Sequence, residues 1–148
     1  THVDDIEPAL RETLSKFEHQ TRLHTQLSVQ GQGLPLPPDI QIQVLHIVQE
    51  ALSNIRKHAQ ATQVWVDVQT QPHWCVRVRD NGCGFDVQAG PPDSTHVGLS
   101  IMRERAQRIG ADLCCESGPD GTLIELRLPN LVASRSGGPI TQPGALTS

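Results

Sequence analysis

Residues 47–59 read Ile-Val-Gln-Glu-Ala-Leu-Ser-Asn-Ile-Arg-Lys-His-Ala. Apolar side chains in and just before this segment recur at the spacing of one helix face: Val44, Val48, Ala51, Leu52 and Ile55. Glu50, Asn54 and Lys57 recur with the same period on a second face. The pattern predicts a helix that packs through one face and carries an acid, an amide and a cation along the other. A plain solvated face is the alternative explanation for the second stripe.

Composition narrows the class of protein. With 148 residues, the chain is long enough for one domain with an apolar core. A net charge of −4, with two Trp, two Phe and no Tyr, argues against nucleic acid as a partner. No apolar run approaches a membrane span, and the chain begins at Thr1 like a domain of a longer protein. We expect any anchor to lie outside it.

The four cysteines carry no metal-ligand spacing. They are Cys75, Cys83, Cys114 and Cys115, and the last two are adjacent, so in a strand they would point to opposite faces. We therefore expect small, reduced, apolar side chains, as in a cytosolic protein.

Hydrophobic periodicity predicts alternating helices and strands. Helical spacing predicts three helices, over about 4–22, 38–58 and 97–109, and the last is stopped by Gly110. Alternation predicts strands over 25–30, 64–68 and 74–78, followed by a closing hairpin of 111–116 with 122–128.

Two stretches lack any repeating face. Residues 90–95 read Gly-Pro-Pro-Asp-Ser-Thr and predict a mobile loop. From Pro129 onward Gly, Pro, Ser and Thr dominate. We therefore expect one domain over residues 1–129 and a disordered tail over 130–148.

The polar face of the central helix suits a ligand that carries phosphates. An amide oxygen such as that of Asn54 is a ligand that Mg²⁺ accepts. Lys57 offers a compact positive charge for a phosphate, and Glu50 can accept a proton or orient a nucleophile.

Asp80 ends the second of two neighbouring strands and is followed by Asn81-Gly82-Cys83-Gly84-Phe85. A carboxylate only accepts hydrogen bonds, so it selects a donor such as the exocyclic amine of adenine. Two glycines let a flat ring approach the backbone closely. Asp-Asn-Gly is also common turn chemistry, so a hairpin turn is the alternative.

A third motif, His96-Val97-Gly98-Leu99, opens the last predicted helix. Backbone N–H groups at a helix start can hold phosphates. A tight junction between loop and helix is the alternative explanation for the single glycine.

Together and in this order, the motifs resemble the ATP-binding domain of sensor histidine kinases, within the GHKL superfamily (gyrase, heat-shock protein ninety, histidine kinase, MutL). Residues 50–58 look like the N box, 80–85 like the first glycine box, 97–99 like the second, and Gly121-Thr122 like the closing Gly-Thr. The resemblance covers about 4–129. Residues 54–59 and 98–106 are most similar to the nitrate/nitrite sensor (NarX/NarQ) branch.

The resemblance implies a Bergerat fold. This is an α/β two-layer sandwich, with a mixed sheet, helices on one face, and ATP held between the helices and a lid over about 85–97. It implies that Asn54 binds Mg²⁺, that Lys57 contacts the phosphates and that Asp80 contacts the adenine amine. Glu50 would assist the attacking histidine. Further ATP-binding positions implied are Gly82, Gly84, Val97, Gly98, Leu99, Thr122 (through a water) and His58, for which plain packing is an equal alternative.

The chain departs from many relatives in two respects. His96 and Ser100 stand where glycines often flank the central glycine of the second box. None of the seven histidines is followed by an acid, as the phosphoacceptor of this branch is. We therefore expect transfer of the γ-phosphoryl group to a histidine on a separate dimerisation domain, and onward to a response regulator.

The resemblance also implies a setting for the whole protein. It implies a cytoplasmic domain of a membrane-anchored, homodimeric nitrate/nitrite sensor in the inner membrane. Alternatives are another GHKL activity (a serine-phosphorylating anti-sigma factor or a gyrase/MutL-type ATPase) and a nucleotide-sensing module without catalysis.

Overall fold

The computed structural model describes residues 6–30, 36–59, 61–70, 73–82 and 94–132, and side chains in these ranges except at 58–59, 94–97 and 130–132. Within them the chain forms three α-helices, one π-helical turn and five strands. In chain order these are α1 (Glu7–Thr21), β1 (His24–Gln30), α2 (Pro38–Asn54), the π turn (Ile55–Ala59), β2 (Gln63–Gln69), β3 (His73–Asp80), α3 (Ser94–Arg108), β4 (Asp112–Gly118) and β5 (Gly121–Val132).

The helices begin and end where their residues favour it. Helix α2 starts at Pro38, whose fixed φ suits a first turn and whose missing N–H is not needed there. Helix α1 is capped after Thr21 by Arg22, which adopts φ 66° and donates its N–H to the carbonyl of Glu18. Gly110, with φ 68°, follows α3 as predicted.

The strands form one mixed sheet in the order β1-β2-β3-β5-β4. Strands β1 and β2 are parallel, and the other three pairs are antiparallel. Because β3 is paired on both sides, with β2 and β5, it lies at the centre of the sheet.

One face of the sheet is buried under all three helices. Residues from this face and from the helices form a single apolar core: Leu10, Leu14, Phe17, Val44, Val48, Leu52, Val66, Val68, Trp74, Val76, Val78, Leu99, Met102, Ile124 and Leu126 are among its members. On the opposite face Arg79 lies 4.3 Å from the ring centroid of Trp65, and Arg77 pairs with Glu125 at 3.0 Å. The two-layer arrangement with helices on one face is therefore confirmed.

Two boundaries differ from the predicted ones. Helix α3 begins at Ser94 rather than Val97, so the last residues of the predicted lid are helical. Ser94 and Thr95 are polar and add nothing to the apolar repeat, so hydrophobic periodicity gives no sign of this first turn. Strand β5 continues to Val132, past the predicted start of the tail. The β3–β5 register shifts between Trp74 and His73: residues 129–131 of β5 are passed over, and His73 pairs with Val132. Residues 83–93 of the glycine box and lid, and 133–148 of the tail, lie outside the described ranges.

The adjacent cysteines point to opposite faces of β4, as predicted. Cys114 is exposed and Cys115 is half-buried, while Cys75 is buried on β3, and all three are free thiols. Burial raises the pKa of Cys75 and of Cys115 to about 11, so both thiols stay protonated at neutral pH. In the described part of the chain, no helix combines the length and the apolar character needed to cross a membrane.

Candidate functional site

Asp80 is buried at the end of the central strand. Only 2% of its surface is exposed, since its side chain shares the helix-covered face with Val78. The β3–β5 ladder runs as far as the pair of Arg79 with Leu123. The next step of the same ladder brings Asp80 opposite Thr122, so strand register places these two polar residues together.

One oxygen of Asp80 has a partner and the other does not. The N–H of Gly82 donates to Oδ1 at 2.7 Å, whereas Oδ2 has no hydrogen-bond partner within the described structure. Burial raises the pKa of Asp80, and the backbone N–H groups of Gly82 and Thr122 oppose that rise. A buried, unpaired acceptor costs about 1–3 kcal/mol, which indicates a group kept for a ligand.

The turn at 80–82 is not a hairpin. Both sides of β3 are already paired, with β2 and with β5. The Gly82 N–H bond to Asp80 is a local turn contact of the kind that Asp makes, but no adjacent strand follows from it. The hairpin alternative for this motif is therefore wrong.

The first residues of β5, Gly121 and Thr122, pack beside Asp80. Thr122 is buried, and its hydroxyl lies 2.8 Å from that of Ser117. Gly121 adopts φ 133°, and a Cβ there would collide with the carbonyl oxygen of Asp80. Only glycine lets β5 begin this close to the end of β3.

The polar stripe is covered at Glu50 and Asn54 and solvated only at Lys57. Asn54 is only 5% exposed, Glu50 is half-buried and Lys57 is exposed. Helix α3 covers the first two: a Cβ at Gly98 would lie 2.6 Å from Glu50 Oε2 and 3.0 Å from both amide atoms of Asn54. The idea that Asn54 sits apart from the packed face is wrong, because a second helix packs on that side.

Gly98 lies inside α3 rather than at its start. Since the helix begins at Ser94, α-helical geometry pairs the N–H of Gly98 with a carbonyl one turn earlier. Because Gly98 has no side chain, α3 can approach α2 closely at this position. The next residue, Leu99, is buried in the core. The side chain of Val97 lies outside the described part.

The helix changes from α to the wider π geometry immediately after Asn54. The N–H of Ile55 donates to the carbonyls of both Ala51 and Leu52, and residues 55–59 form the π turn. Such turns are rare and occur frequently at functional sites. Lys57 and His58 lie within it, so α2 and its polar stripe do not continue as one regular helix to residue 58. The side chain of His58 is outside the description.

The site has a strand side, with Asp80 and Thr122, and a helix side, with Glu50, Asn54 and Lys57. A cavity lies between Asp80 and Thr122 on the strand side and Asn54 on the helix side. Its volume is about 10 Å³, room for roughly one water. The lining residues are Ala51, Asn54, Ile55, Val78, Asp80, Thr122 and Ile124. Its walls are apolar apart from three polar side chains, and a flat ring would enter only if these walls moved apart.

A larger groove of about 440 Å³ lies between α1 and α2. One side is lined by Leu45, Gln49, Leu52 and Ser53 of α2 and by Arg56 of the π turn, and no predicted site residue lines it. The small cavity is the better candidate, because it collects the unpaired polar atoms of Asp80 and Asn54.

Oxygen ligands for Mg²⁺ are available on the helix side. Asn54 supplies an amide oxygen and Glu50 a carboxylate, both of the hard type that Mg²⁺ prefers. Across the described ranges, no group of three His, Cys, Asp or Glu side chains could hold a metal ion.

One residue of the site escaped prediction. The side chain of Asn81 bonds the start of β2, with Oδ1 accepting from the N–H of Thr62 at 2.9 Å and of Gln63 at 3.0 Å. In the sequence Asn81 is only part of a turn-forming tripeptide, and its partner lies 19 residues away. Local pattern carries no signal for such a contact.

Comparison with known proteins identifies the family. Residues 39–131 match the model described as histidine kinase-, DNA gyrase B-, and HSP90-like ATPase. The nitrate/nitrite sensor protein NarQ of Escherichia coli is 37% identical over 125 residues, which cover 82% of this chain and 22% of NarQ. The signal transduction histidine-protein kinase/phosphatase DegS of Brevibacillus brevis is 35% identical over 124 residues, 82% of this chain and 32% of DegS.

Solved structures share the fold. The histidine kinase domain of a blue-light activated histidine kinase from Erythrobacter litoralis matches with a TM-score of 0.66 at 23% identity, covering 87% of this chain and 69% of that domain. The fold expected from the sequence motifs is thus confirmed. The chain spans only between about a fifth and a third of the length of the curated relatives NarQ and DegS.

Proposed function

Because the chain belongs to the histidine kinase-, DNA gyrase B-, and HSP90-like ATPase family, an ATP-binding family, we propose that it is the catalytic part of a two-component sensor histidine kinase. Its reaction is transfer of the ATP γ-phosphoryl group to a histidine on a separate dimerisation domain. The observation that supports this most directly is the unpaired Oδ2 of Asp80 in a cavity shared with Asn54 and Thr122.

The strand side would hold adenine. Asp80 Oδ2 accepts a hydrogen bond from the exocyclic amine, whereas guanine would present a carbonyl at that position and leave the carboxylate unpaired. Thr122 adds a hydroxyl, reaching the base through a water. Gly82 and Gly84 have no side chain, so they would let the flat ring approach the backbone closely.

The helix side would hold the triphosphate. Asn54 would bind a Mg²⁺ ion, which would offset the phosphate charges. Lys57, exposed on the π turn, contacts the phosphates, and Glu50 accepts a hydrogen bond from the incoming histidine and orients it. Val97, Gly98 and Leu99 form the nearby backbone, and their N–H groups become available to phosphate only if the first turn of α3 opens.

The phosphotransfer experiment pairs this domain with an isolated dimerisation domain and labelled ATP. We expect label on the acceptor domain that is lost in acid, as phosphohistidine is. Acid-stable label would instead support a serine-phosphorylating relative, and no transfer with intact ATP binding would support a nucleotide-sensing module. Glu50→Gln is the matched variant, expected to bind ATP normally and to transfer slowly.

The whole protein carries further proposals. We propose that residues 1–129 act as one domain within a membrane-anchored homodimer, on the cytoplasmic side of the inner membrane, with a response regulator as the next acceptor and no nucleic-acid partner. Nitrate or nitrite is the proposed signal, supported by the similarity to NarQ. Phosphorylation assays on the full-length protein with and without nitrate test the signal, and an unchanged rate would contradict it.

A further inference from the structure

Asn81 joins the end of β3 to the start of β2. It follows Asp80 directly, and its side chain is exposed, so it adds nothing to the apolar core. Oδ1 accepts from two N–H groups, as described above, and Nδ2 donates to the hydroxyl of Thr62 at 3.0 Å. Its own N–H donates to the carbonyl of Gln63 at 3.3 Å. These hydrogen bonds all reach the start of β2.

Thr62 connects this contact to the helix side. It lies five positions after Lys57 in the chain, shortly beyond the end of the π turn. Its carbonyl accepts the N–H of His24 at 3.1 Å, which fastens it to β1 as well. Asn81 therefore ties the turn beside Asp80 to the segment through which the π turn enters the sheet.

We propose that Asn81 is a positioning residue that sets the separation between the turn at 80–82 and the π turn at 55–59. The inference rests on the proposed function, in which the first turn binds adenine and the second binds phosphate. A ligand that joins two weak sites gains affinity only when their spacing matches its length. Loss of Asn81 should therefore weaken the joint binding of base and phosphates more than binding of the base alone.

Two variants distinguish a role of Asn81 in positioning the two turns from a role in stabilising the fold as a whole. Asn81→Leu keeps a similar size and removes every side-chain hydrogen bond, whereas Asn81→Asp keeps acceptors for the two N–H groups. Each is titrated calorimetrically with adenosine and with Mg-ATP. For Asn81→Leu we expect ATP affinity to fall about ten-fold and adenosine affinity to change by less than about two-fold. Asn81→Asp should keep both within about two-fold of the unmutated protein.

The outcomes are distinguishable. Equal losses for adenosine and ATP, or unchanged ATP affinity, would overturn the positioning role. If Asn81→Leu does not fold, Thr62→Val decides: it removes only the hydroxyl partner, should cost ATP about three-fold with adenosine unchanged, and no loss would overturn the inference. If the unmutated domain does not bind ATP, the proposed function and this inference both fail. If the unmutated domain binds ATP but Asn81→Leu has the same ratio of ATP affinity to adenosine affinity, only this inference fails.

Discussion

The strand side and the helix side of the cavity are built in different ways. On the strand side, Asp80 and Thr122 stand on paired neighbouring strands, and backbone hydrogen bonds set their spacing. On the helix side, Glu50 and Asn54 depend on how closely α3 packs against α2 at Gly98. Lys57 depends on a π turn.

This difference predicts different responses to change. Backbone pairing in a sheet is cooperative and central in this fold, so the strand side should tolerate little movement. Packing between two helices is set by side chains, and these can shift by small amounts. The helix side should therefore adapt, and we expect binding of nucleotide to move α3 rather than β3 or β5.

The largest effect is expected for Gly121→Ala, on the strand side. The new Cβ would collide with the carbonyl oxygen of Asp80, and alanine disfavours φ 133°. We expect a loss of about 3 kcal/mol or more in the free energy of unfolding, measured by urea denaturation. Gly118→Ala, at the residue paired with Gly121 across the same turn, is the control, since nothing lies within 4 Å of its Cβ. Equal losses in both variants would show that the contact with Asp80 is irrelevant.

Asp80→Asn should separate binding from stability. The asparagine amide has one acceptor oxygen rather than two, so it cannot accept from both the Gly82 N–H and the adenine amine. The affinity for ATP, measured by titration, should fall roughly ten- to hundred-fold. ATP affinity that stays unchanged would rule out the adenine role.

The same variant tests the pH dependence. Burial raises the pKa of Asp80. The Asp80 carboxyl group of the folded protein therefore binds its proton more tightly than the same group in the unfolded chain. The stability contributed by the protonated Asp80 carboxyl group is complete below the ordinary aspartate pKa of about 3.9, and it is lost as pH rises through the folded-state pKa. Relative to the unmutated domain, Asp80→Asn should thus gain stability as pH rises above about 4. A difference in unfolding free energy that does not vary with pH would contradict this.

Gly98→Val tests the helix side and should have an intermediate effect. Its side chain would push against Glu50 Oε2 and the amide of Asn54, at a cost of about 1–3 kcal/mol in unfolding free energy. Adding Glu50→Ala removes one obstacle, so the double variant should recover part of the loss. Strictly additive effects would show that the two residues do not meet.

The smallest effect on stability is expected for Asn54→Ala. The side-chain amide is buried, and its Nδ2 has no partner within the described ranges, so truncation removes little: about 1 kcal/mol or less. Titration with ATP should nevertheless lose its dependence on Mg²⁺. A large drop in thermal stability, or retained Mg²⁺ dependence, would assign Asn54 a structural role instead.

The elements were largely predictable, while their contacts were not. The apolar residues of α2 and the alternation in β2 and β3 follow from local periodicity, which reports which side chains are buried together. The burial of Asn54 was missed because it results from α3, more than 40 residues further along the chain. The π turn was missed because residues 55–59 fit an ordinary helical pattern.

The sequence by itself determined the order of helices and strands, the apolar face of α2 and the set of polar residues that carry the chemistry, since each depends on neighbours within a few positions. Only the tertiary structure decided that Asp80 stands opposite Thr122, that Gly98 rests on Glu50 and Asn54, and that Asn81 holds the start of β2. These contacts join residues from separate elements, and their spacing depends on strand register and helix packing. Both are properties of the assembled core rather than of any single segment.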